Sequence, residues 1–470
     1  MINTMKRNIS AVIIGLLLLL GVNFQSVAQG ITMYHMYNMP QKQIFNPALT
    51  GDFKFYLSLP GTQTGIGMDF QGFKVGSLFE NVSAFRSSIS DHNYINQELQ
   101  YGILSLGMKF GKNYLTLDAQ LKNSLHFSMS KDFITFATSG NGAYIDQTMD
   151  FSGTGFSETM YMEYSLGYSR TLLSDNLTVG GRVKYLNGIA ILDLSEWDAG
   201  IYTAPATYEM DIHSKANLLA SGPFELQFDA DNQLLYDSIK MITDGNRLLN
   251  DYLLSNNNKG FGVDFGASMK LFKKLTVSAS VTDFINTLNW SQNVYQLSQD
   301  ATIHLTGIDF INMDQTNDSN LFAPLLDTIA SEFQLTSSTS GFSSKIRARY
   351  YLGANYELLK WLSVGGVVQG HSFEDKAYLT YTLSANMKLG SFLAISASGS
   401  KTGTGPISYG AGIALKIFPV QIYVIGENLS GIYYDTDYNG SLMVWPGDID
   451  HIYLRFGVNI AFGAKKDEDK

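Results

Sequence analysis

Asp435-Thr436-Asp437-Tyr438-Asn439-Gly440 sets oxygen-bearing side chains at alternate positions ahead of a glycine. That spacing matches the opening half of a calcium-binding loop, where alternating oxygen ligands precede a sharp glycine turn. The match then fails, because Pro446 stands where such a loop needs a bidentate glutamate. Asp448 and Asp450 substitute only if the loop folds back. The simpler reading is an Asn-Gly turn closing a solvated acidic hairpin, and it is preferred.

No other group of residues has spacing suited to chemistry. The seven histidines are scattered, with no His-Glu-x-x-His and no i, i+4 pair to hold zinc. There is no Gly-x-Ser-x-Gly nucleophile elbow and no phosphate loop of the Gly-x-x-x-x-Gly-Lys type. With no cysteine, the chain has no disulfide, no thiolate metal site and no cysteine-linked lipid anchor. The expectation is a protein without enzymatic activity, with no catalytic residue, no cofactor-binding residue and no metal site.

The charged residues fall instead into a positional pattern. Lys109, Asp118, Glu163, Arg182, Lys184, Asp264, Lys270, Arg347, Arg349, Glu357, Lys388, Lys416, Glu427 and Arg455 occupy the polar phase of alternating segments. The segment at the C-terminus shows the pattern most clearly. Ile452, Leu454, Phe456, Val458, Ile460 and Phe462 alternate with Tyr453, Arg455, Gly457, Asn459 and Ala461. A period of two puts one face in an apolar medium and the other in a polar one. Similar segments recur along the chain, each near the roughly 9–11 residues that cross a membrane as a tilted strand. Counting one strand in the region Phe53–Gly72 gives fourteen, an even number as bacterial single-chain barrels require.

The connections sort by length. If the first strand rises from the periplasm, every descending strand ends in a turn of two or three residues, and the long connections (around 130–158, 189–259, 286–344 and 428–451) all lie on the other side. Short periplasmic turns and long outer loops are the asymmetry of outer-membrane barrels. Two of the long connections carry apolar residues at helical spacing, Leu235 to Leu253 and Phe322 to Phe333. The spacing predicts short helices packed on their own loops, with a lid over the lumen as the alternative. Residues 29–49 are not strand-like, and entry into the lumen from below would plug it.

Lys6 and Arg7 precede the apolar run Ala11–Val22 and the small residues Ser26-Val27-Ala28, the pattern of a secretory signal peptide. Cleavage after residue 28 would leave 30 basic against 42 acidic residues, a net charge of −12 that would repel nucleic acid.

Met33-Tyr34-His35-Met36-Tyr37-Asn38, followed by Phe45-Asn46-Pro47-Ala48-Leu49-Thr50-Gly51, resembles the mature start of PorP/SprF-type proteins. Those are outer-membrane barrels associated with type IX secretion and gliding. Pro419-Val420-Gln421-Ile422-Tyr423 and Asn428-Leu429 also look like that group. The middle is similar to a related barrel family catalogued only as a domain of unknown function. There the resemblance rests on Gly262-Val263-Asp264-Phe265-Gly266-Ala267, Asn289-Trp290, Asn293, Tyr295 and Gly307-Ile308-Asp309.

The resemblance implies a FadL-like barrel of about fourteen strands and carries no catalytic or ligand residue across. The expected organisation is a signal peptide over 1–28, a periplasmic or lumenal segment over 29–52, an all-β transmembrane antiparallel barrel over 53–463 with small helices in its outer loops, and a charged periplasmic tail over 464–470. The expected location is the cell outer membrane, with lipid as partner. The preferred function is a scaffold or accessory for a secreted or cell-surface protein, linked to type IX secretion; the alternative is a FadL-like transporter of a small apolar or amphipathic solute.

Overall fold

Alternating strands are stable only where their two faces meet different surroundings, and closure into a barrel provides this while pairing every edge. The computed structural model describes residues 30–73, 77, 82–173, 175–230, 235, 239–255, 257–305, 336–373, 376–402, 407–428, 432–438, 441–446 and 451–464. Fourteen strands form the wall. The first, β1, runs as Phe53–Ser58 and continues as Gln63–Gln71. Then come β2 (His92–Phe110), β3 (Asn113–Ser130), β4 (Gly155–Leu172), β5 (Leu177–Thr203), β6 (Lys259–Leu271) and β7 (Leu275–Trp290). The second half is β8 (Arg349–Leu359), β9 (Leu362–Phe373), β10 (Lys376–Leu389), β11 (Leu393–Thr402), β12 (Ile407–Ile417), β13 (Val420–Glu427) and β14 (His451–Ala464). Sequential neighbours pair antiparallel, and β14 pairs back onto β1 from Phe53↔Ala464 to Asp69↔His451. The fold is therefore a closed antiparallel barrel of fourteen strands.

One end carries only tight turns, at 111–112, 173–176, 272–274, 360–361, 390–392 and 418–419. The turn at 173–176 has four residues rather than the expected two or three. All the long connections lie at the other end, but much of what reads as loop is strand. β5 runs for 27 residues, and its far half pairs with an outer strand, Met210–Ser221, which pairs in turn with Val294–Leu305. Burial alternates along Val294–Leu305 and is uneven on both faces of Met210–Ser221.

The long connections also hold helices. Lys131–Ser139 is capped by Ser130, whose Oγ accepts from the Phe133 N–H at 3.2 Å. The expected helix from Leu235 to Leu253 is shorter than its spacing suggests. Lys240–Met241 pairs as a strand with Phe224–Glu225, and among the described residues of that stretch only Gly245–Arg247, continued by wider turns over Leu248–Leu253, is helical. It is neither a lid nor packed only on its own loop, because it leans on the barrel wall. The Phe322–Phe333 stretch, the signal-peptide region and residues 465–470 lie outside the described residues.

Burial follows the alternation. Along β14, Tyr453, Arg455, Gly457, Asn459 and Ala461 are buried, while Phe456 and Phe462 are exposed. Leu166, Tyr168, Val183, Phe265, Leu352, Leu383 and Ile413 also stand exposed on the outer face. So wide an apolar belt far exceeds the few hundred Å² that a soluble monomer normally leaves in water. The polar groups are inside.

Candidate functional site

Residues 30–52 fill the turn-end half of the lumen. Two short 3-10 helices, Ile31–Met33 and Pro40–Ile44, place Met33, Met36, Met39 and Phe45 in one buried cluster with Tyr351, Val367, Tyr423 and Ile425 of the wall. Each fully buried side chain of this size contributes about 1.5–3 kcal/mol. Much of the polar edge of the segment is bonded to the wall, though Gln43 Nε2 is buried without a partner among the described residues. Thr32 donates from both its N–H (2.8 Å) and its Oγ1 (2.5 Å) to Glu427 Oε1. Gln41 Nε2 donates to Asn459 Oδ1 at 2.8 Å, and Gln421 Nε2 to the Asn38 carbonyl at 2.6 Å. Arg182 donates to the Gln43 carbonyl at 2.8 Å.

Asn46-Pro47-Ala48 has a specific role in this plug. Asn46 Oδ1 accepts from the Ala48 N–H at 2.9 Å, fixing a turn. Its Nδ2 donates to the carbonyls of Ala267 and Ala279, each at 3.3 Å, on adjacent strands β6 and β7. Gly266 leaves the room for this, since a Cβ there would lie 2.0 Å from Asn46 Oδ1.

Above the plug lies a layer of buried charge. Lys184 Nζ is 2.7 Å from Asp264, 2.6 Å from Asp283 and 3.8 Å from Glu163. Lys122 pairs with Glu163 at 2.7 Å, and Arg182 lies 3.6 Å from Asp264. Burying charge is tolerated only where it is paired and hydrogen-bonded, and these groups come from β3, β4, β5, β6 and β7. They cross-link the wall as the mixed signs in the sequence imply. Arg349 pairs with Glu98, a structural role for one of the two adjacent arginines.

The layer floors a chamber of about 170 Å³ lined by Glu98, Lys122, Ser124, His126, Arg347 and Arg349 among others. Ile44 and Phe45 of the plug border a smaller cavity of about 30 Å³ beneath, which shares Gln100, Lys122, Asp283 and Arg349 with the chamber. Tyr161, also in the chamber wall, belongs to an apolar cluster with Leu186, Ile191, Leu288 and Trp290. The chamber is thus charged below and meets apolar side chains on one flank.

Of the charges assigned to the lumen from the sequence, Glu163, Arg182, Lys184, Asp264, Lys416, Glu427 and Arg455 are buried inside. Lys270 is exposed near the turn end instead, where the ladder finishes and little protein surrounds it. Glu98, Lys122 and His126 go unrecognised because β2 and β3 run past the segments where alternation is clear. Asp283 is missed because a bulge shifts it out of phase. At the calcium-like motif, Ile432–Tyr438 and Ser441–Pro446 pair antiparallel with Tyr438 opposite Ser441, a hairpin register, while residues 439–440 lie outside the described residues. Among the described residues no group of three or more His, Asp or Glu is arranged to hold a metal ion.

Solved structures similar to this chain include the Ralstonia pickettii toluene transporter TbuX, with 9% identity over 94% of this chain and 98% of that one and a TM-score of 0.46. A Pseudomonas aeruginosa FadL homologue shares 10% identity over 91% and 95%, with a TM-score of 0.40. No curated protein matches the chain. The family of unknown function DUF5723 matches residues 47–426, most of the length, and the chain belongs to that family.

Proposed function

We propose that the chain is a non-enzymatic outer-membrane barrel that admits a small amphipathic solute carrying a polar or charged head. The exposed apolar belt supports membrane insertion, since in lipid it costs nothing and in water it would drive aggregation. The observation that carries the solute reading is the chamber, whose charged floor meets the apolar flank at Tyr161. A wall with both characters suits an amphiphile better than an ion or a plain hydrocarbon. The wall is also irregular beside the chamber. Between the pairs Thr282↔Arg349 and Thr287↔Lys345 the regular ladder on β7 breaks, bridged by the Ile346 N–H donating to the Asn286 carbonyl at 3.1 Å, and Ile346 and Arg347 from that interval line the chamber beside Lys345. Uptake of short-chain carboxylates or alkyl amines into proteoliposomes tests the reading. Thr159→Trp, which fills the chamber, abolishes uptake if the chamber is the route; equal uptake by both proteins rejects it.

A second reading is a scaffold for a secreted or surface protein, linked to type IX secretion. Its support is the outer sheet of β5, Met210–Ser221 and Val294–Leu305, together with the PorP/SprF-like opening at Met33–Asn38 and Phe45–Gly51. A surface protein that co-purifies with the intact barrel and is lost when the outer strand Met210–Ser221 is replaced by a short polar linker, with β6 and β7 kept, favours it.

A further inference from the structure

The segment 240–258 lies outside the barrel, not over its mouth. Tyr252 and Ile242 are buried against Met162 of β4 and Ile189 of β5, with Leu121, Tyr164 and Leu248 beside them. Tyr164 belongs to the outward phase of its strand, alongside the exposed Leu166 and Tyr168. The donors on this contact are bonded, while Asn187 Oδ1 is buried without a partner among the described residues. Asn187 Nδ2 donates to the carbonyls of Tyr252 (2.8 Å) and Leu253 (3.1 Å), which end the helical turns and have no partner within them. Asn293 Nδ2 donates to Tyr252 Oη at 2.6 Å, and Arg247 pairs with Glu225 at 2.9 Å.

The opposite side of the segment is uncovered and sets leucines beside the exposed Asn246 and Asn250. Met241, Leu249, Leu253 and Leu254 are exposed, Leu254 at 66%. Their height is fixed by the chain. β6 begins at Lys259, just after this segment, and ends at Leu271 beside the tight turn. That is about one membrane-crossing strand above the turn end. The exposed leucines therefore sit where the apolar belt of the wall stops, and they continue it sideways.

We propose that Gly245–Leu253 and the residues flanking it form an in-plane foot resting in the outer leaflet, with Leu249, Leu253 and Leu254 inserted among lipid chains and Arg247 and Asp251 at the headgroup level. A short helix with one face on protein, one in lipid and charges at the rim suits the membrane interface. The alternative, exposing three leucines to water, gains nothing. The bonds from Asn187 are what this position demands, because lipid offers no partner to a bare carbonyl. The inference rests on the membrane reading above.

The absence of cysteine makes the test clean. Leu254→Cys, Leu249→Cys, Phe265→Cys (middle of the wall) and Ala206→Cys (outer turn) are each spin-labelled in proteoliposomes, and collision with oxygen is compared with collision with a water-soluble nickel chelate. The expected result is oxygen-favoured labels at 249 and 254, shallower than at 265, with the label at 206 favouring nickel. Labels at 249 and 254 that behave like 206, or that neither reagent reaches, overturn the foot while leaving the barrel in lipid. A nickel-favoured label at 265 overturns the membrane reading and the foot together. If Leu254→Cys does not fold, Leu249→Cys carries the test alone.

Discussion

Lys184 Nζ stands 2.6 Å from Asp283 Oδ1, although strict alternation along β7 would turn Asp283 outward with Val277, Ala279 and Val281. Three residues, Thr282 to Phe284, face the single residue Asp264 across the β6–β7 ladder, and Asp283 adopts a left-handed backbone at φ 56°. Its N–H donates to Asp264 Oδ1 at 2.7 Å. A bulge re-aims side chains in this way. Here it delivers a carboxylate to a buried lysine and places Phe284 and Ile285 on the outer face.

Removing that lysine takes the only ionic partner from Asp283 among the described residues and leaves Asp264 with Arg182 alone, at 3.6 Å. Lys184→Met is expected to destabilise the barrel by about 3–5 kcal/mol, the usual cost of breaking a buried ionic group from one side. Asp283→Asn keeps the shape and leaves Lys184 paired with Asp264, so a loss of roughly 1–3 kcal/mol is expected. Urea unfolding in lipid micelles measures both. A Lys184→Met protein as stable as the parent contradicts the cross-linking role.

The lumen is shaped to hold its plug. A Cβ at Gly353 would come 2.7 Å from the Tyr34 ring, and one at Gly410 would come 2.2 Å from Thr32 Oγ1. Gly353→Leu and Gly410→Leu should therefore displace residues 30–52 while the wall stays paired. Limited proteolysis should cut that segment at least tenfold faster, with the unheated gel mobility of the barrel unchanged. Unaltered cleavage would mean that the plug does not depend on this fit.

The outer sheet should respond to pH. His304 Nδ1 lies 2.6 Å from Asp211 Oδ1 on the paired strand, and this hydrogen bond raises the imidazole pKa above its ordinary 6.5. A pKa raised by folding adds stability that is complete below the unfolded value and is lost as pH rises through the folded one. Amide exchange in Met210–Ser221 should be slower in the parent than in His304→Gln below pH 6.5, and the difference should disappear in alkaline solution. A difference independent of pH would exclude the pair as its source.

How much of this was legible depended on contrast between faces. Ile452 to Phe462 shows the strand plainly because one side meets the apolar exterior and the other a packed polar lumen. The same contrast reveals fourteen strands and the sorting of their turns. Met210–Ser221 and Val294–Leu305 alternate as well, but they lie inside the two long connections and pair with each other and the far half of β5, so their place reads as loop. Asp283 is hidden for another reason, since one bulge inverts the parity on which the reading relies. In Leu235 to Leu253 helical spacing is present, yet Ile242 packs from a strand-flanking position and Tyr252 from a helix, both onto the wall. Spacing cannot say which neighbour an apolar face will find.

The central claim is a lipid-embedded barrel whose lumen is closed by its own N-terminal segment. Planar-bilayer recording of the full chain beside a variant lacking residues 31–49 tests it most directly. The account predicts a parent that inserts but stays electrically silent, and a deletion variant that conducts in discrete steps. Steady conductance of equal size from both proteins, or failure of the parent to enter the bilayer, would contradict it.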